Sequence, residues 1–162
     1  DELRNPPEGE TLAADSWTYG MAQPFSSVSP EMHNEFDIEY AIPYYRRFGL
    51  GYYGCCEPLH SKMDLLKEHL PRLRKVSCSP WADDAKVAKE CGRDIVVSMK
   101  PNPALLAETI WRPHAVREDL KKRLDDLEGC NVEIVLKDIS TVSYEPKRLL
   151  EWAEIARELV EG

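Results

Sequence analysis

From residue 50 onward the chain alternates short apolar runs with longer stretches whose apolar residues recur at helical spacing. Leu50-Gly51-Tyr52-Tyr53-Gly54 reads as a strand, and 61–69 as a helix with Met63, Leu66 and Leu70 along one stripe. A second strand over 74–79 leads through Pro80-Trp81 into a helix over 82–91, which Gly92 ends. DIVVSM at 94–99 is a third, followed by the turn Lys100-Pro101-Asn102-Pro103 and one or two helices within 104–127. NVEIVL at 131–136 precedes a last helix over 145–160, with Leu149, Trp152, Ala153, Ala156 and Leu159 on its apolar face.

The upstream third is less regular. Residues 1–12 carry Pro6, Pro7 and Gly9 without apolar periodicity and read as an extended lead-in to a domain over 13–162. Residues 13–25 predict one short strand and an irregular loop. Ser29 and Pro30 open a helix, the serine accepting an early N–H and the proline suiting the first helical position. Phe36, Tyr40, Tyr44 and Phe48 recur along it as core-facing residues, Gly49 stops it, and Pro43 predicts a kink or break.

Strand–helix alternation specifies an α/β fold with a parallel sheet, since parallel neighbours need a crossover connection. In open doubly wound sheets and closed barrels alike, functional groups sit at the carboxyl ends of the strands. The first of the four exits above carries Cys55, Cys56, Glu57 and His60, and the second Ser77, Cys78, Ser79, Trp81 and Asp83. The third carries Ser98, Lys100 and Asn102, and the fourth Lys137, Asp138, Ser140 and Thr141.

Thiolates with an imidazole suit zinc, and Cys55 or Cys56 with His60 and Cys78 would supply three ligands and leave an open position. If the strand continues through both cysteines, alternation allows only one of them to face such a site. Packed, metal-free thiols are the competing reading. Lys137 and Asp138 form either an acid/base or anion-binding pair or a turn capped by Asp138. Lys100 and Asn102 either line a pocket or satisfy their own turn, and Glu57 is the best lone carboxylate. Trp81 is a pocket wall or a helix-start staple, while His33, His69 and His114 have no clustered partners. GLGYYG fits a dinucleotide fingerprint by letter, but its glycines lie before and within the strand rather than between strand and helix.

Composition narrows the function classes. The 162 residues are 43% hydrophobic and 31% charged, an ordinary globular balance near the size of one domain. A net charge of -8 gives no electrostatic footprint for nucleic acid or anionic lipid, and no apolar run is long enough for a membrane helix. Five cysteines without a regular framework predict reduced thiols and a cytoplasmic protein.

The motifs follow one another as SPEMHNEFDIEYAIPYYRRFGLGYYGCCEPLHSKMDLL, RKVSCSPWAD, DIVVSMKPNPALLA and VEIVLKDISTVSYEPKRLLEWAEIA. In that order, over about residues 15–160, the chain resembles the carboxyl-terminal half of uroporphyrinogen decarboxylase-like proteins. The resemblance implies half of an eight-stranded α/β barrel and a strand-exit pocket for a small-molecule or porphyrin-like carboxylate. Glu57, Lys137 and Asp138 would then be catalytic, and Trp81, Lys100 and Asn102 would bind substrate. Relatives in the corrinoid methyltransferase branch bind zinc through a His-x-Cys-Gly strand end and a later cysteine. Here Gly51 and Tyr53 stand in place of that histidine and cysteine, and Lys137-Asp138 in place of the later cysteine. A displaced zinc site at Cys55, Cys56, His60 and Cys78, or a noncatalytic module that binds a corrinoid protein, is the alternative. A half-barrel leaves two sheet edges open, so self-association or a missing amino-terminal half is expected.

Overall fold

Four strand–helix units and one upstream strand form a single five-stranded parallel sheet in a computed structural model that describes residues 3, 9–21 and 23–162. The strands are β1 (Trp17–Gly20), β2 (Leu50–Tyr53), β3 (Leu73–Cys78), β4 (Val96–Met99) and β5 (Val132–Ile134). They are hydrogen-bonded in sequence order, β1-β2-β3-β4-β5, and every pair is parallel. A doubly wound sheet reverses its strand order partway, whereas a barrel adds each strand beside the last. The chain is therefore an α/β half-barrel, with β1 and β5 at its edges. The expected lead-in over 1–12 lies largely outside the described residues. No helix among the described residues is long and apolar enough to cross a membrane.

The helices follow the predicted stripes. Helix α1 (Pro30–His33) starts at Ser29, whose hydroxyl accepts the Met32 N–H at 3.3 Å, and continues through a π-helical turn at Asn34–Ile38 into α2 (Glu39–Arg47). Pro43 neither breaks nor ends the helix; the irregularity lies a turn earlier. There His33 and Asp37 both reach the Tyr53 hydroxyl, which donates to Asp37 and lies 2.6 Å from His33 Nε2. The aromatic series is placed opposite to expectation, because Phe36, Tyr40 and Tyr44 are more than half exposed. Ile38 and Tyr45 carry the buried stripe, and the Tyr45 hydroxyl donates to the Tyr52 carbonyl at 2.7 Å.

Further along come α3 (Met63–His69), α4 (Asp84–Cys91), α5 (Ala104–Ala107), α6 (Pro113–Asp126) and α7 (Lys147–Glu161). One sheet face carries Tyr53, Val76, Cys78, Val97 and Met99, all fully buried in a core with Leu66, Val87, Leu120 and Ile155 of the helices. The other face carries Trp17, Tyr19, Tyr52, Lys75, Ser98 and Glu133, matching the alternation of a strand. Apolar against helices and polar-aromatic inside, the sheet is two-sided.

Two arginines interrupt the apolar stripes of α6 and α7, and both are buried. Arg123 makes a two-pronged contact with Asp84, Nε to Oδ2 at 2.7 Å and Nη2 to Oδ1 at 2.8 Å. Its remaining donors reach the Lys100 carbonyl at 2.5 Å and the Ser79 carbonyl at 3.1 Å, so one guanidinium ties together α4 and the exits of β3 and β4. Arg148 of α7 likewise donates to the carbonyls of Leu106 and Glu108 after β4. Removing one member of a buried ion pair strands its partner's charge, whereas replacing both by apolar groups avoids that cost. Arg123→Met is thus expected to destabilise the fold by about 3 to 5 kcal/mol in urea unfolding. The double variant Asp84→Leu/Arg123→Met should recover most of the loss.

Candidate functional site

The exit of β2 is built by Gly54. Its φ of +107° turns the chain out of the sheet, and a Cβ there would meet Leu59 and Ser77 at 2.6 and 2.8 Å. The following backbone is held on every side. The Gly54 carbonyl accepts the Tyr19 hydroxyl at 2.7 Å, and the Cys55 N–H donates to Glu57 Oε1 at 2.9 Å. Lys100 Nζ and Ser77 Oγ donate to the Cys55 carbonyl at 2.6 and 2.5 Å. Lys100 itself is buried, so its ammonium acts as a fixed donor that joins the β4 exit to the β2 exit.

Because the strand ends at Tyr53, the alternation that would send Cys55 and Cys56 to opposite faces does not apply. Their sulfurs converge, 3.4 Å apart, and Lys137 Nζ from the β5 exit lies 3.3 Å from Cys55 Sγ and 3.0 Å from Cys56 Sγ. Asp138 Oδ2 lies 3.1 Å from Cys56 Sγ and 3.3 Å from Lys137 Nζ. Asp138 holds a left-handed backbone at φ 58°, a conformation that costs energy in a residue with a Cβ and that gathers at functional sites.

The cluster polarises its two thiols in opposite directions. Burial works against the Cys55 thiolate, but hydrogen bonds from Cys56 and Lys137 outweigh it and lower the Cys55 pKa below the ordinary thiol range. Burial, with Asp138 and Cys55 beside it, raises that of Cys56 despite Lys137. Cys56 therefore keeps its proton, between the Asp138 carboxylate and the Cys55 sulfur. Burial also works against the Lys137 ammonium, but Cys56, Cys55 and Asp138 hold it charged and raise its pKa. Hydrogen bonding to Cys56, then to Lys137, keeps Asp138 ionised below the usual carboxylate range.

Beside this cluster the inner face of the sheet forms an open groove of about 470 Å³ lined by Trp17, Thr18, Tyr19, Tyr52 and Lys75. Lys75 Nζ sits 5.1 Å from the Trp17 ring centre and 5.7 Å from that of Tyr52, within cation–π range, and pairs with Glu133 at 2.7 Å. Tyr19 belongs to both regions: its ring lines the groove and its hydroxyl faces the Cys55 loop.

The structure brings together Cys55, Cys56, Lys100, Lys137 and Asp138 from three strand exits. Glu57 is almost fully buried and braces the Cys55 amide, which makes it a positioning residue. The proposed metal set does not assemble. Cys78 is buried against Asp84 at 3.0 Å, its thiol pKa raised by burial, and His60 accepts the Asp83 N–H at 3.2 Å in a separate depression with Lys86 and Glu90. Among the described residues no group of three or more His, Cys, Asp or Glu is placed to hold a metal ion. The zinc reading thus does not fit these residues.

Of the two remaining expected substrate contacts, Trp81 is 68% exposed at the surface, and Asn102 Oδ1 accepts the Ala104 N–H at 3.0 Å within its own turn. The sequence reading missed Tyr19, Tyr52 and Lys75, which become neighbours only through strand register. It also missed Arg123, although a charge at an apolar-stripe position between Leu120 and Leu127 was a legible signal. No protein-family model and no curated protein sequence matches the chain.

The polarised pair makes a pH-dependent expectation. Cys55 should react with iodoacetamide down to lower pH than an ordinary thiol, as followed by peptide mass spectrometry. Lys137→Met removes the cation that favours the thiolate, so the midpoint should move to higher pH and the reaction at neutral pH should slow. Cys130, whose thiol pKa burial raises, should react only at higher pH in both proteins.

Proposed function

We propose that this chain is a uroporphyrinogen decarboxylase-like half-barrel whose inner face binds a flat, small-molecule or porphyrin-like carboxylate. The observation that supports the reading is the groove of Trp17, Tyr19, Tyr52 and Lys75, whose Tyr19 also reaches the Gly54 carbonyl at the β2 exit. Aromatic side walls offer a planar ring apolar contact on its faces, and Lys75 in the groove offers a carboxylate a charge-assisted hydrogen bond. Lys75 anchors one carboxylate by exchanging its contact with Glu133. Lys137 receives another at the exit.

In this reading Lys137 is also the proton donor. Loss of carbon dioxide leaves an electron pair on the former carboxylate-bearing carbon, and an ammonium held within reach delivers the proton that completes the exchange. Asp138 orients that ammonium and keeps it charged. Glu57 and Lys100 touch no substrate; they hold the Cys55 loop from below.

Titration with a porphyrin tetracarboxylate should quench the fluorescence of Trp17 saturably, and Trp17→Phe identifies that signal among the four tryptophans. Lys75→Met should weaken binding about tenfold or more, the scale of one lost hydrogen bond to a charged group. Lys137→Met should abolish coproporphyrinogen formation from uroporphyrinogen while the porphyrin still binds. Absence of saturable binding, or binding indifferent to Trp17 and Lys75, contradicts the reading.

A further inference from the structure

The two adjacent thiols are not used by the decarboxylase reading, and their geometry has its own chemistry. A disulfide requires an S–S bond of about 2.05 Å and usually separates its Cα atoms by about 4.4 to 6.8 Å, whereas neighbours along a trans chain are about 3.8 Å apart. Direct closure of Cys55 to Cys56 therefore strains the backbone, and the observed 3.4 Å separation is far from it. A single soft atom between the sulfurs has no such difficulty. Taking the zinc–thiolate length of about 2.3 Å as the measure of a bond to a soft centre, two such bonds at angles of about 90° to 110° place the sulfurs about 3.3 to 3.8 Å apart. The pair already stands at that spacing.

The surroundings select the kind of atom. Both cysteines are partly exposed, whereas the described residues supply no third ligand set and so no closed tetrahedral metal cage. A centre that needs two sulfurs and brings its own remaining substituent is satisfied; one that needs four protein ligands is not. Lys137 lies within 3.3 Å of both sulfurs and steadies a thiolate there, and Asp138 holds the second thiol in place.

We propose that Cys55 and Cys56 form a chelating site for a trivalent arsenical carrying one organic group. The Cys55 thiolate attacks arsenic as one As–O bond breaks, and the departing hydroxide takes a proton from the Lys137 ammonium to leave as water. Cys56 then forms the second As–S bond, its proton leaving with the second hydroxide, and Lys137 regains a proton from solvent. Two As–O bonds are exchanged for two As–S bonds, two waters are released, and arsenic stays trivalent. No oxidant or reductant takes part.

The probe is phenylarsine oxide, added to the full chain and read by intact-mass spectrometry. One adduct per chain is expected, resistant to excess monothiol and removed by a 1,2-dithiol. Chelation makes the second bond intramolecular, so Cys55→Ser and Cys56→Ser should each weaken retention about a hundredfold or more. Circular dichroism confirms that each variant is folded, and Cys91→Ser/Cys130→Ser, which removes two of the other three thiols and leaves only the buried Cys78 beside the pair, should retain the adduct. Lys137→Met should slow adduct formation. An adduct that survives either single serine variant, that disappears in the Cys91/Cys130 variant, or that monothiol strips from the wild-type protein overturns the proposal. Porphyrin binding at the Trp17 groove is measured separately, so each reading stands or fails by itself.

Discussion

The ion pair between Arg123 and Asp84 is the constraint on which the rest of this half-barrel depends. Both side chains are less than one-tenth exposed, in an interior where an unpaired charge costs several kcal/mol. The guanidinium has more donors than one carboxylate can use, and the others go to the carbonyls of Ser79 and Lys100. Two strand exits are thereby fixed to two helices by one side chain. Lys100, with its own carbonyl held, sends its ammonium to the Cys55 carbonyl of a third exit. A chain of buried, satisfied polar contacts thus runs from α6 to the loop that carries the thiols.

Above this foundation the exposed chemistry is set by short distances rather than by deep burial. Lys137 and Asp138 come from the last strand and Cys55 and Cys56 from the second, yet they meet at about 3 Å. Two strands lie between those exits in the sheet, so the segments beyond the strand ends close the distance. Charge then does the fine adjustment. Burial, the contact between the two sulfurs, Lys137 and Asp138 together make the neighbouring thiols unlike, the first biased to thiolate and the second to thiol.

The fold was legible in the sequence because each unit carried its own period: apolar runs at 50–53 and 96–99, then stripes such as Leu149, Trp152 and Ala156 on the last helix. The strand exits were legible for the same reason, and Cys55, Lys100 and Lys137 were among the residues they offered. What the sequence did not disclose was direction. Spacing by four made Phe36, Tyr40 and Tyr44 look like a core stripe, but the helix turns Ile38 and Tyr45 inward instead. Alternation argued against a Cys55–Cys56 pair only if the strand ran on through both cysteines, and it stops at Tyr53, where Gly54 turns the chain. His60 and Cys78 lie at neighbouring exits as expected, yet the Asp83 backbone claims the first and the Asp84 carboxylate the second, which only the packed structure reveals.

The central claim is that buried polar contacts position the exit cluster, and Lys100 is the link through which this is most directly tested. The iodoacetamide reactivity of Cys55 at neutral pH should be measured in Lys100→Met, with folding verified by cooperative urea unfolding. The expected result is a folded protein whose Cys55 has lost its enhanced reactivity, because the loop no longer holds its sulfur against Lys137. A folded variant with Cys55 reactivity equal to that of the wild type would contradict it.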